Sequence, residues 1–180
     1  MTEPEAVARP DDFGIESQVA VPSLDAFVRT HYPRLIRLAG LITRDGDQAQ
    51  DAVQAGLERA WRKRGDVRDA TRLRPWLDRI VVREAIRQTH GSGLSALLRR
   101  EPYDWIQYPA LTPEPAEMIA LREALGHLSP EHRAVIALHL HEGYTVEETA
   151  RLLAVPFDTV RSRLRAARER LRRELGEKVQ

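Results

Sequence analysis

Apolar residues recur at intervals of three and four along most of this chain, and nowhere do they alternate with polar ones over the length of a strand. Leu24, Phe27, Val28, His31, Leu35, Leu38 and Ile42 fall at helical spacing, with Ser23 placed to cap the run. Pro33 predicts a kink or a restart inside it. Gly46 and Asp47 break the pattern, and a second amphipathic helix follows over residues 48–64 through Ala52, Val53, Leu57, Ala60 and Trp61. Residues 65–72 (GDVRDATR) read as a loop. A third helix is predicted over 73–89 on Leu73, Trp76, Leu77, Ile80, Val81 and Ala85, with Pro75 in the first turn, where its missing N–H costs nothing.

Regularity lapses over residues 90–115, which are rich in proline and glycine and read as a linker with one short helical turn near 94–99. Its aromatics Tyr103, Trp105 and Tyr108 serve equally well as partner contacts or as local packing. Four short helices follow. The first covers 115–126 and ends near Gly126; the second covers 130–141, with Ser129 as N-cap, Pro130 in the first position and Gly143 as the stop. The third covers 145–153 and opens on a capping box, Thr145-x-x-Glu148. The last covers 157–175, with Val160, Leu164, Ala167, Leu171 and Leu175 as its buried stripe. Residues 1–22 are acidic, contain proline and lack any sustained apolar period, as a disordered tail would. The predicted fold is all-α: two small helical domains, residues 23–90 and 116–176, joined by a flexible linker over 91–115.

Composition then narrows the chemistry. All but two of the 28 basic residues are arginine, the exceptions being Lys63 and Lys178, and arginine's planar fork suits phosphates and base edges. With no cysteine among the 180 residues, disulfide scaffolds, thiolate zinc sites and cysteine nucleophiles are excluded. No apolar run approaches the ~20 residues of a membrane span, and residues 1–22 hold no apolar signal core, so a soluble, cytoplasmic protein is expected. His139 and His141 point to different sides of a helix and predict no metal site. No nucleophile–base–acid set, P-loop or GxGxxG run occurs, so neither enzymatic activity nor a cofactor is expected. The net charge of +1 conceals segregation: residues 1–28 carry −5, 29–90 carry +6, 116–156 carry −3 and 157–180 carry +4. Two separate basic surfaces are implied.

The sharpest pattern lies near the C-terminus. Two helices separated by a three-residue turn, 145–153 and 157–175, make a helix-turn-helix, with Ala150 small at the crossing and Leu153, Val155 and Val160 packing between them. With Val160 and Leu164 buried, the second helix presents Asp158, Thr159, Arg161, Ser162, Arg165, Arg168 and Arg172 outward, and Arg163 and Arg170 toward its flanks. Arginine, serine and threonine on the first turns of such a helix are the inventory for major-groove base edges and nearby phosphates. A solvated helix face stabilised by pairs such as Glu169–Arg173 is the plainer alternative.

The stretch EETARLLAVPFDTVRSRLRAARERLR (residues 147–172) resembles region 4 of bacterial sigma factors, the subunits that direct RNA polymerase to promoters. DAVQAGLERAW (51–61) resembles the polymerase-docking helix of their region 2, and RPWLDRIVVREAIRQ (74–88) the adjoining segment that meets the promoter −10 element. Both regions in this order, with a short linker and no third domain, resemble the extracytoplasmic-function (ECF) subfamily over residues 24–90 and 116–175.

That resemblance implies roles for particular residues. Asp51, Gln54, Leu57 and Glu58 would meet a coiled coil on the largest subunit of core polymerase, with Ala52, Val53 and Trp61 in the protein core. Ala55, where the family usually has an acid, and Gly56, a helix-interior glycine costing ~1 kcal/mol, depart from the pattern and imply docking that is either weakened or supported from elsewhere. The loop over 66–73 would capture an extruded base of the −10 element through Arg68, Asp69 and Arg72, with Arg74, Arg79, Arg83 and Arg87 on backbone phosphates. Trp76 would either pack in the core or line that base pocket. The absence of an aromatic-rich melting segment implies stringent promoter choice. Arg161, Ser162, Arg163 and Arg165 would read the −35 element, with Thr159 and Arg168 nearer phosphates. Ala154 stands where the family's turn has glycine, so a left-handed backbone there would be strained. Promoter DNA and core polymerase are the implied partners, an anti-sigma factor a further candidate. A stand-alone helix-turn-helix regulator, or a sigma mimic that titrates an anti-sigma factor, are the competing functions, though the seven arginines over 161–173 serve no purpose in a pure mimic.

Overall fold

The structure, a computed structural model, describes residues 24–67, 69–91 and 116–178. The acidic tail over 1–22, Arg68, and residues 92–115 of the linker with their expected turn and three aromatics lie outside the described residues. The first module is built from helix α1 (Leu24–Thr43), α2 (Gly46–Arg62) and α3 (Leu73–Gly91), with single 3₁₀ turns at Arg64–Asp66 and Ala70–Arg72 leading into α3. No restart occurs at Pro33: α1 runs through it, with the ring on the exposed face, where the carbonyl that loses its helical partner is open to solvent rather than stranded in the core. Only the second half of α1 is buried, from Leu35 onward.

The turn into α2 comes from two residues the periodicity did not single out. Arg44 takes the left-handed conformation that ends α1 (φ 60°), and Asp45 caps α2, its side chain accepting from the Gln48 N–H at 2.9 Å. Gly46 and Asp47 therefore belong to the first turn of α2. The buried row of α2 is small (Ala49, Ala52, Val53, Gly56 and Ala60) and lets α3 come close. A Cβ on Gly56 would stand 3.1 Å from Val81 Cγ2. Hence glycine in mid-helix is explained by packing against α3, which offsets its cost in helix propensity. Leu35, Leu38, Ile42, Val53, Leu77, Val81 and Val82 fill the centre of this module. At its edge the buried Glu84 carboxylate is shared by Arg59 of α2, at 2.9 Å, and Arg87 of its own helix.

The second module comprises α4 (Ala116–Gly126), α5 (Pro130–Ile136), a π turn (Ala137–His141), α6 (Val146–Leu153) and α7 (Phe157–Lys178). Ser129 caps α5 and Pro130 opens it. The helix expected over 130–141 widens at its end, with Glu142 N–H bonding to the Ala137 carbonyl at 2.9 Å, before Gly143 (φ 79°) stops it. Thr145 and Glu148 form the expected capping box on α6. Helix α7 lies across α4, α5 and α6, burying Val160, Leu164 and Ala167.

The two modules pack on one another: α1 and α3 lie against α5, α3 against α6, and α1 against the π turn. Their buried apolar residues form one continuous cluster, from Leu35 of α1 to Ala167 of α7. Arg133 of α5 pins the joint, its Nε donating to the Ile42 carbonyl at the end of α1 at 2.6 Å and another nitrogen to the Leu128 carbonyl. Burial, with Arg44 close by, pulls its pKa down to about 10. The Arg44 guanidinium reaches the Arg122 carbonyl at 3.4 Å, over Gly126, where a Cβ would lie 2.4 Å from it. Helical periodicity, which describes each helix separately, gave no sign of this joint.

Candidate polymerase and promoter interface

Helix α2 turns its small residues inward and so leaves the opposite face large and open. Asp51, Gln54 and Glu58 are exposed and Leu57 is half-buried, with Gln54 Nε2 donating to Glu58 Oε1 at 3.4 Å. Ala52 and Val53 are in the core as expected; Trp61 is not, being 53% exposed. The correction follows from helix geometry: residues 54, 57, 58 and 61 share one face, and the buried row ends on Ala60. The Trp61 ring is instead held by Arg64, whose guanidinium sits 5.1 Å from the ring centroid and donates to the Trp61 carbonyl at 2.8 Å. An acidic, amide and apolar face capped by an indole is therefore on offer to a partner.

The segment ahead of α3 is shaped by Asp69, whose Oδ1 accepts from the Thr71 N–H at 2.9 Å and the Thr71 hydroxyl at 2.7 Å. The two bonds hold its carboxyl below the usual range. Arg72 is open to solvent, with Asp69 at 3.5 Å. Trp76 is half-buried, packed against the core with part of its surface open. On α3, Arg79 and Arg83 face outward four residues apart, and neither makes an ion pair among the described residues. Partial burial and the neighbouring Arg79 charge lower the Arg83 pKa, as expected of a cationic patch without a counter-charge. Two other arginines expected on phosphates are engaged: Arg87 with Glu84, and Arg74 with Glu142 of the second module at 2.8 Å. Arg68 is outside the described residues.

In the helix-turn-helix, Ala154 adopts the left-handed conformation (φ 54°, ψ 47°), the strained geometry expected of alanine in that turn. Arg161, Arg165, Arg168 and Arg172 line one flank of α7 beside His139 and Val146, at the i, i+4, i+7 spacing of one helix side. Phe157 supports the row, its ring 5.7 Å from the Arg161 guanidinium. Ser162 is exposed and donates to the Thr159 carbonyl at 3.0 Å. Thr159 and Arg163 fall on the other flank, half-buried. On the first turn of α5, burial and then the nearby Arg163 charge lower the His132 pKa. Burial works against the Glu131 charge, but hydrogen bonds from its own N–H and Ser129, with the His90 and Arg163 charges, hold its carboxyl below the usual range. Four arginines against one acid, Glu169, which lines the same flank between Arg168 and Arg172, make a surface suited to a polyanion.

Residues 27–90 match the Sigma-70 region 2 family and residues 124–173 match Sigma-70 region 4. The chain is 34% identical over 156 residues to the ECF RNA polymerase sigma factor SigM of Mycobacterium tuberculosis, covering 86% of this chain and 78% of that one. This chain belongs to the ECF sigma factors. It is 33% identical over 159 residues to the RNA polymerase sigma factor CarQ of Myxococcus xanthus, covering 85% and 88% of the two chains. A solved structure of the sigma factor RpoE of Bartonella quintana, in complex with the anti-sigma factor NepR, superposes on 84% of this chain and 96% of its own with a TM-score of 0.65 and 25% identity. As an ECF sigma factor the chain is a non-enzymatic subunit that binds core RNA polymerase and promoter DNA and starts transcription at chosen promoters. Among its described residues no helix is long and apolar enough to cross a membrane.

Proposed function

We propose that this ECF sigma factor divides its work among three surfaces. The outer face of α2 (Asp51, Gln54, Leu57 and Glu58, joined by Trp61) docks on the coiled coil of the largest polymerase subunit. The segment ahead of α3, with Arg68, Asp69 and Arg72, takes an extruded base of the −10 element, while Arg79 and Arg83 hold its backbone and Arg74 joins them when free of Glu142. The α7 row reads the −35 element: Arg161 and Arg165 address base edges, Arg168 phosphate, and Ser162, Thr159 and Arg163 support from the open face and far flank. Flipping a base out of the stack costs a few kcal/mol, which hydrogen bonds in the pocket must return. The chain works in the cytoplasm, and an anti-sigma factor is a candidate partner because a structural relative is held by one.

One observation carries this reading. Two arginine-rich surfaces, on α3 and on α7, belong to one chain that also exposes an apolar and acidic docking face. Two weak DNA contacts tethered on one polymerase reinforce each other through effective concentration, so neither needs to be tight alone. Core polymerase reconstituted with the chain and mapped by run-off transcription on fragmented genomic DNA should start transcripts that core alone does not, sharing paired upstream motifs. Failure to select any start site overturns the proposal.

A further inference from the structure

The joint between the modules holds a charged cluster drawn from both of them. Glu142, carried to the interface by the π turn, has its side chain 3% exposed and accepts from Arg34 of α1 at 2.6 Å and Arg74 of α3 at 2.8 Å. Arg74 donates also to the Glu142 carbonyl at 3.2 Å and lies over the Tyr144 ring, 5.6 Å from its centroid. The Tyr144 hydroxyl donates to Asp78 at 2.7 Å, and Asp78, fully buried, is paired with Arg34. Burial works against the Arg34 charge, but Asp78 and Glu142 outweigh it and raise its pKa. Burial and the Asp78 charge likewise raise that of Tyr144. At another edge of the joint, His90 of α3 meets Glu131 of α5 at 2.9 Å.

Promoter elements at −10 and −35 lie roughly 25 base pairs apart, about 85 Å along B-form DNA at ~3.4 Å per pair. Modules of this size have radii of gyration of about 11 Å, so two in contact cannot span that distance. Arg74 belongs to the proposed −10 surface, yet here the second module occupies it. We propose that Glu142 and Tyr144 form a self-latch: they hold the modules together and sequester Arg74, and the chain reads a promoter only after this joint opens. The proposal rests on the promoter-reading assignment above.

The cluster is built to release. On opening, Arg34 keeps Asp78, its partner within the first module, so the buried aspartate is not stranded. Arg74 is already about half exposed and exchanges one anion, Glu142, for another, a phosphate. Glu142 itself is incompletely satisfied in the closed state: its Oε1 accepts no hydrogen bond among the described residues, with only the His141 ring near, at 3.9 Å. Hydration on opening answers that deficit.

A chain without cysteine permits a direct test. The double variant His90→Cys/Glu131→Cys, joined by a short bis-maleimide, locks the modules through residues outside the proposed DNA and polymerase surfaces. Run-off transcription by reconstituted holoenzyme is then compared for wild type, the unlinked variant and the linked variant. The latch requires the unlinked variant to stay within threefold of wild type and the linked one to fall at least tenfold. In parallel, Glu142→Ala/Tyr144→Phe should widen the separation of the modules in the free chain, read by fluorescence energy transfer between labels on each. It should also bind a −10 non-template oligonucleotide at least threefold more tightly. Equal transcription by the linked and unlinked chains, or an unchanged separation in the Glu142/Tyr144 variant, overturns the latch. Failure of wild type and unlinked variant alike to start any transcript overturns the promoter-reading assignment and the latch with it.

Discussion

Ala154 shows how much a single backbone conformation decides in a turn of three residues. A left-handed φ of 54° sets its Cβ against the following carbonyl, at a cost of roughly 1–2 kcal/mol for a residue other than glycine. Ala154→Gly should therefore raise stability by about 1 kcal/mol, seen as a higher urea midpoint at unchanged slope, with −35 binding retained; a lower midpoint would contradict the strain. The capping box nearby supplies a pH test. The Thr145 N–H, with the Thr145 hydroxyl, holds the Glu148 carboxyl below the usual glutamate range. A lowered folded pKa means that the cap is at full strength above about pH 4.5 and fades as pH falls through the folded value. A carboxyl-detected NMR titration should place the Glu148 midpoint below 4.5, and Thr145→Val should move it upward. An unmoved midpoint would mean that the hydroxyl does not contribute.

At the scale of the element, α2 separates what periodicity reads from what it does not. Helix existence and order were legible because every apolar row repeats at three and four, and the caps at Ser129 and Thr145 were legible because they are local chemistry. Trp61 was misplaced because a large apolar residue one step past Ala60 looks like a continuation of the buried row. The small residues of that row bring α3 so near that the face is closed to an indole. Gly56, read as a weakness in docking, is a packing requirement that only the neighbouring helix reveals. If the outer face of α2 is the docking surface, an exposed indole at its end is the type of residue that dominates an interface. Trp61→Ala should then weaken core polymerase binding by about 2 kcal/mol, roughly thirtyfold, without lowering the unfolding midpoint. A fall in midpoint with unchanged affinity would return Trp61 to the core. On α7 the arginines differ by position along the helix. Arg161→Ala, near its start, should cost about 1–3 kcal/mol at one base position of the −35 element, whereas Arg168→Ala should weaken all sequences alike and reduce the salt slope by about one. Binding isotherms on single-base variants at several salt concentrations distinguish the two; identical profiles would sink the division of labour.

For the molecule as a whole, the decisive contacts are those between residues far apart in sequence, and these are where the sequence was silent. Two helical modules were legible, but a positive block over 29–90 beside a negative one over 116–156 pointed to complementary surfaces only in hindsight. It takes the fold to bring Glu142 to Arg34 and Arg74, or Arg133 to the end of α1. The same distance in sequence hid the engagement of Arg74 by Glu142, whereas Arg87, which the resemblance likewise put on phosphate, is held by Glu84 only three residues earlier on its own helix. Modules of about 65 residues bury modest cores and are marginal singly; here the apolar cluster continues across the joint, so each supports the other. The free chain should therefore unfold in one cooperative step. With Trp105→Phe as background, fluorescence of Trp61 and Trp76 follows the first module while helical circular dichroism follows both, and the two urea transitions should coincide. Arg133→Ala strands the Ile42 and Leu128 carbonyls at the joint, each an acceptor worth about 1–3 kcal/mol when left unpaired in a buried site. In that variant the fluorescence and dichroism midpoints should separate, the second module melting at lower urea. Coincident transitions in Arg133→Ala, or separate ones in the parent, would mean that the modules are stable independently and that the shared core contributes little.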